Sequence, residues 1–259
     1  MVVRLREGTS RLAGWSAWLA ALSIPVLIIA AVGHRARLLD AVPTYGIMAL
    51  GFSLAALAVI AAVAAFTAIW RDGRRGGGAA LRGLLIGLAI LVMPVVGAWK
   101  VVMYPRLNDI STDLVNPPQF TQAASDRVPG DEPIVAPGPD EVALQEEAYP
   151  DIVPRHYPVS TARVYQEAKA IVDARGWLIL TAREPSEDDE TGVIEGVAVT
   201  TIFAFRQDVA IRIVPDGDGS LVDMRSAARN AAHDLGSDAE RVRTFFADLD
   251  LALQGISGV

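Results

Sequence analysis

Two long stretches of the chain carry no charged residue, and a third carries one. Trp15 to Gly33 is a 19-residue apolar run, Pro43 to Trp70 is a 28-residue run rich in alanine, and Gly83 to Tyr104 contains only Lys100. Crossing a hydrocarbon layer about 30 Å thick takes about 20 helical residues, so the pattern predicts three membrane spans at about 15–33, 43–70 and 83–104. Aromatic residues stand where the interfaces are expected: Trp15 and Trp18, Tyr45 and Trp70, Trp99 and Tyr104. Lys100 lies one turn from Tyr104, close enough to reach the headgroups. Gly83 and Gly87, with Ala58, Ala61, Ala62 and Ala65, predict close helix packing, either within the chain or between two copies.

Beyond Pro105 the pattern changes. Residues 105–118 are polar and turn-rich, and 121–150 combine prolines with acids and show little periodicity, which reads as an extended linker. Periodicity then predicts a helix over Thr161–Arg175, with Ser160 as its cap, Gly176 as its stop, and Val164, Ala168, Ile171 and Val172 on one face. Strand-like runs follow at Trp177–Arg183, Gly192–Phe203, Asp208–Val214 and Leu221–Ala227. Pro215-Asp-Gly-Asp-Gly219 predicts a hairpin between the last two, without the further acids of a calcium loop. Ser237-x-x-Glu240 predicts a capping box opening a last helix with Val242, Phe245, Phe246, Leu249 and Leu253 buried. The expectation is therefore an α+β chain. Three N-terminal transmembrane helices (1–104) lead through a membrane-proximal segment and linker (105–151) to a two-layer domain (152–259), whose mainly antiparallel four-stranded sheet carries two helices on one face.

The chain has 259 residues and a net charge of −7, but the charge is divided unevenly. Residues 1–104 hold ten Lys and Arg against three acids, and residues 105–259 hold thirteen against twenty-seven. So acidic a C-terminal half repels nucleic acid, which excludes that class of partner. Seven basic residues (Arg4, Arg6, Arg11, Arg71, Arg74, Arg75, Arg82) flank the spans on one side and three (Arg35, Arg37, Arg106) on the other, which predicts a cytoplasmic N-terminus and an exported C-terminal half. A cleaved signal peptide over 1–36 is the competing reading, but its 19 apolar residues exceed the usual range of about 7–15. Cysteine is absent, and three histidines without a paired motif give no zinc site. No metal or cofactor is expected.

Candidate chemistry gathers on the last two strands. Alternation puts Asp208, Ala210 and Arg212 on one face of the first and Asp223 with Arg225 on one face of the second, so a hairpin would bring acids and arginines together. Two readings follow. In one, the face is a set of solvated cross-strand ion pairs. In the other, Arg212, Arg225 and Arg229 form a site for a phosphate or carboxylate, accompanied by Asp208 and by Glu195. Ser226, His233 and Asp234 supply the residue types of a hydrolase triad, without a nucleophile elbow. Asp109 and Asp113 fit turn formation as well as ion binding.

Several of these segments resemble one family. Leu107-Asn-Asp-Ile-Ser-Thr-Asp113, Asn116-Pro-Pro118, Tyr149-Pro-Asp151, Glu195, Phe203 to Val209, Val222-Asp-Met-Arg-Ser226, Arg229, Asp234-Leu-Gly236 and Ala239 together resemble the domain of unknown function 1499 family, across about 105–253. The chain departs from that pattern at Ala228, Ala231 and Asp238, in place of serine, glycine and asparagine. The resemblance implies no substrate, cofactor or activity. It does imply a bacterial envelope protein, so the expected place is the inner membrane with the C-terminal domain in the periplasm. The preferred function is a binding or accessory module for an anionic envelope ligand or a partner protein. The alternatives are a membrane-bound serine-type hydrolase and a small transporter component, the latter disfavoured by nearly featureless spans.

Overall fold

A computed structural model describes residues 8–187 and 189–254. They divide into two compact units, 8–99 with Ile202–Ala204, and Lys100–Thr201 with 205–254. The first unit is built on helices α1 (Arg11–Arg35), α2 (Ala41–Asp72) and α3 (Gly77–Met103), each long and apolar enough to cross a membrane. Their buried positions are small: Ala13, Ser16 and Ala20 on α1, Gly51, Ala55, Ala58, Ala62 and Ala65 on α2, and Ala80, Gly83 and Gly87 on α3. The large residues, among them Ile28, Leu57, Ile60 and Leu85, face outward. Small residues inside and branched ones outside are what helix association in lipid favours, because close backbone approach is the source of packing there. The Ser16 hydroxyl donates to the Ala58 carbonyl at 2.9 Å, and a Cβ added to Gly83 would collide with Ser16. Within the chain, then, the glycine pair and the alanines join helix to helix.

The second unit contains six strands: β1 (Asp109–Ser111), β2 (Arg155–Tyr157), β3 (Leu178–Arg183), β4 (Gly192–Val199), β5 (Arg206–Asp216) and β6 (Gly219–Ala228). All pairings are antiparallel, in the order β1-β6-β5-β4-β3, with β2 sharing the outer edge of β6 with β1. The four long strands are the four expected from alternation. The two additional strands have three residues each, too few for a period-2 pattern to show. The β5–β6 hairpin closes on the Asp216–Gly219 pair, and Gly217 takes φ +61°, the left-handed value that a Gly-first two-residue turn requires.

One face of the sheet is covered by α6 (Thr161–Ala174) and α7 (Ser237–Gln254). Ile194, Val209, Ile211, Ile213, Val222 and Met224 meet Val164, Ala168, Ile171, Phe245, Phe246 and Leu249 in a single core. The sequence-expected caps differ in detail. Ser160 stands at the N-cap of α6 without a side-chain cap bond. At α7 the Asp234 carboxylate, not Ser237, accepts from the Gly236 and Asp238 amides at 2.9 and 2.6 Å, and the Ser237 hydroxyl accepts from Gln207 at 2.7 Å.

The opposite face is covered too, by the segment expected as a linker. This segment carries the short helix α4 (Gln122–Ser125) and then α5 (Pro139–Ala148), and it packs Phe120 and Ala123 against Ala210 and Ala227. On α5, the buried Gln145 amide completes the open edge of β1: its oxygen accepts from the Ser111 N–H at 3.2 Å, and its nitrogen donates to the Ser111 carbonyl at 2.7 Å.

Candidate functional site: the outer face of the sheet

Register places Arg212 directly opposite Asp223, Ala210 opposite both Arg225 and Glu195, and Asp208 opposite Ala227. Asp208, Arg212, Asp223 and Arg225 thus share one face, as the alternation predicts, and the pairing of β4 with β5 adds Glu195 to it. That face is not solvated, because residues 112–134 lie over it and, together with Asp109 of the edge strand β1, contribute its counter-charges.

Each arginine is matched to acids from separate parts of the chain. Arg212 donates to Asp223 at 2.7 and 3.0 Å and to Asp113 at 2.9 Å. Arg225, 3% exposed, makes a fork to both oxygens of Asp109 at 2.9 and 2.6 Å, and stacks on Phe120 with 4.7 Å between guanidinium and ring centre. Arg229, 0% exposed, donates twice to Asp208 at 2.7 and 2.5 Å and also to Asp126 at 3.0 Å. Arg127 donates to the second oxygen of Asp208 at 2.8 Å. Burial pushes the Asp208 carboxyl up and works against the charge of Arg229, yet the carboxylates of Asp208 and Asp126 raise Arg229 above its ordinary value. Two guanidiniums on one carboxylate fix the charged pair as the resting state. Arg225 and Arg229 are therefore interior ion pairs with no surface to offer a ligand.

Glu195 has a different partner set. Its carboxylate accepts from the Thr121 and Ala123 amides at 2.9 and 3.1 Å and from the Thr121 hydroxyl, so it caps α4 and pins the covering segment to β4. No arginine approaches it among the contacts of the described residues.

Ser226 lies on the other face. Its hydroxyl donates to Asp238 at 2.7 Å and accepts from Arg241 at 3.0 Å, in a buried cluster with Gln207 and Ser237. His233 Nδ1 accepts from the Leu235 amide at 3.0 Å. Ser226, His233 and Asp234 are therefore not assembled as a relay. Asp238 is fully buried, and one of its oxygens has no partner among the described residues. Burial, reinforced by Asp234, pushes its carboxyl up to about 7. Sequence reasoning noted this residue only as a departure from the family's asparagine and gave it no role; its place in the first turn of α7, one turn before the buried Val242, was the available signal.

What remains open on the outer face is a cleft of about 340 Å³ between residues 118–121 and strands β3–β5, lined by Gln119, Thr121, Thr181, Arg183, Glu195 and Arg212 over Val193 and Ala210. Two of the sequence-predicted residues, Arg212 and Glu195, reach it. Arg183, half exposed and paired with Asp189, and Thr181 were not singled out by the sequence. No group of metal-ligating side chains occurs among the described residues.

The family profile for proteins of unknown function, DUF1499, matches residues 109–249, which are the sheet, both covering helices and the strap on the outer face. The chain belongs to the DUF1499 family. No curated protein matches it. The DUF1499 region begins at β1, so the ion-paired strap lies within the family's region together with the sheet.

Proposed function

We propose that the protein is a membrane-anchored binding or accessory module whose ligand site is the cleft over β3–β5. The observation that carries the reading is a cleft of about 340 Å³ in which donors lack partners. Arg212 binds its two aspartates through Nε and Nη2, which leaves Nη1 without an acceptor among the described residues. Arg183 engages Asp189 through one nitrogen only. The charge of Arg212 is already shared with Asp113 and Asp223, so the cleft suits a ligand with one anionic group and several hydroxyls better than a polyanion. The apolar floor of Val193 and Ala210 would take its carbon skeleton.

The basic residues around the spans favour a multi-pass protein of the cell inner membrane with a cytoplasmic N-terminus and a periplasmic C-terminal domain. The reading favours binding over hydrolysis because the residues of the serine triad are engaged elsewhere. The test is native mass spectrometry of the full chain in mild detergent, comparing wild type with an Arg183→Ala/Thr181→Val double variant. A co-purifying mass that the variant loses supports the cleft. A mass retained by the variant, or none in the wild type, shifts the function to a protein partner.

A further inference from the structure

The first turns of α1 divide between two faces. Ala13, Ser16 and Ala20 are buried inside the helical unit, and the Ser16 hydroxyl holds the Ala58 carbonyl. The 3.6-residue period puts Arg11, Gly14, Trp15 and Trp18 on the opposite face, where all four are exposed. They border a groove of about 370 Å³. Gly14 is its notch, because a Cβ added there would meet nothing within 4 Å. The indoles of Trp15 and Trp18 stand edge to face with 6.5 Å between ring centres. Arg11 makes no hydrogen bond or ion pair among the described residues, so its guanidinium is available at the mouth of the groove.

The frame around the groove is fixed and basic. The Ser10 amide donates to the Arg75 carbonyl at 2.8 Å and the Arg75 amide to the Gly8 carbonyl at 3.1 Å, which ties the entry of α1 to the turn between α2 and α3. Among the described residues of this end, Arg11, Arg71, Arg74, Arg75 and Arg82 face one acid, Asp72, and Asp72 pairs with Arg74 at 3.0 Å. In the sequence before α1, Arg4 and Arg6 outnumber Glu7.

We propose that this groove binds an anionic glycerophospholipid, with its phosphate on Arg11 and its first acyl carbons over Gly14, beside Trp15 and Trp18. The inference rests on the membrane reading of α1–α3 and is independent of the cleft on the sheet. A guanidinium offers a planar fork of donors that matches a phosphate. Tryptophan sits where headgroups meet hydrocarbon, and Trp18 lies about 10 Å along the helix axis from Arg11, enough to pass from one to the other. The ammonium of a zwitterionic lipid finds no free carboxylate here, since Asp72 is engaged, and Arg11 repels it from the indole faces. A second copy of the chain is a poorer occupant. An isologous contact would bring two Arg11 side chains into one seam without an acid between them.

The test is native mass spectrometry of the full chain in mild detergent, with equal amounts of phosphatidylglycerol and phosphatidylcholine added. Wild type is expected to retain one phosphatidylglycerol in preference to phosphatidylcholine. Arg11→Gln should cut that occupancy about five-fold, the effect of one arginine near an anionic surface. Gly14→Leu fills the notch while leaving Arg11 in place, and it enters open space at a helical position that leucine suits, so it should lower occupancy without unfolding the chain. Arg71→Gln removes the same charge outside the groove and should leave occupancy within about two-fold of wild type. The proposal is overturned by no retained phosphatidylglycerol in the wild type, by equal retention of the two lipids, by an equal loss in Arg71→Gln, or by unchanged binding in Gly14→Leu. Displacement of the lipid by soluble glycerol 3-phosphate would also overturn it, because the site would then serve free phosphoesters. A lipid-free dimer would do the same by assigning the groove to a second copy.

Discussion

The two faces of the sheet are held by different physics. Toward α6 and α7 the contacts are Ile194, Val209, Ile211, Ile213, Val222 and Met224 against helical stripes, with no direction to satisfy. Toward the strap that follows β1 they are ion pairs: Asp113, Asp126 and Arg127 each meet a set partner beneath the strap, and Asp109 of β1 meets Arg225. An apolar face accepts any stripe of suitable shape. An ionic interior accepts one alignment, because each unmatched charge is costly. The strap therefore stays in place without a continuous apolar pattern of its own.

The sharpest way to break the comparison is to remove one charge. Asp208 holds Arg229 and Arg127 together, and Asp208→Ala leaves two buried guanidiniums without their carboxylate. The expected loss is about 3–5 kcal/mol in urea unfolding of the full chain in detergent. Phe245→Ala on the other face is expected to cost a similar amount, about 3–5 kcal/mol. Hydrogen exchange separates the two: Asp208→Ala should deprotect the amides of 121–134 selectively, and Phe245→Ala should loosen α7. A loss below about 1 kcal/mol for Asp208→Ala would mean that the Asp208 pairs contribute little and that the strap is held by its other ties, among them Phe120, Ala123 and the Glu195 carboxylate.

The helical face has one polar island, and its charge responds to pH. Asp238 is raised to about 7 by burial and by Asp234, while Arg241 and the Ser226 hydroxyl pull it back. The folded protein therefore keeps a proton that the unfolded chain releases near pH 4. This group's contribution is greatest in acid, declines as pH rises from about 4 to about 7, and is constant above that. The decline has a ceiling of about 4 kcal/mol. Asp238→Asn should flatten that part of the profile and stabilise the protein at neutral pH. Asp151, held low by its bond to Arg243, acts in the opposite sense and only in stronger acid. Parallel profiles for wild type and variant between pH 5 and pH 7 would show that Asp238 is already ionised there.

These differences explain what could be read from the chain. The four long strands, α6, α7 and the three apolar helices follow from period and length, which are local signals. The shared face of Asp208, Arg212, Asp223 and Arg225 also follows, because alternation and a hairpin fix it. Their partners do not follow, since Asp109 and Asp113 lie about a hundred positions earlier in a stretch without periodicity. The same holds for β1 and β2, which are too short for a pattern, and for Glu195, whose partners are backbone amides. The cleft is legible only in part: Arg212 and Glu195 stand on strands with clear alternation, but the wall at 118–121 comes from the strap.

The smallest expected effect is the most discriminating for function. Arg183 and Arg225 are both strand arginines paired with an aspartate, but their side chains are 54% and 3% exposed. Water screens the Arg183–Asp189 pair, so Arg183→Ala should change stability by less than about 0.5 kcal/mol. Arg225→Ala strands Asp109 beneath the strap and removes the stack on Phe120, so it should cost several-fold more. If the cleft is the binding site, Arg183→Ala alone should weaken ligand retention while the melting temperature stays within about 2 °C of wild type. A stability loss equal to that of Arg225→Ala would place Arg183 among the structural ion pairs, and the outer face would then have no arginine held for a ligand apart from the single free nitrogen of Arg212.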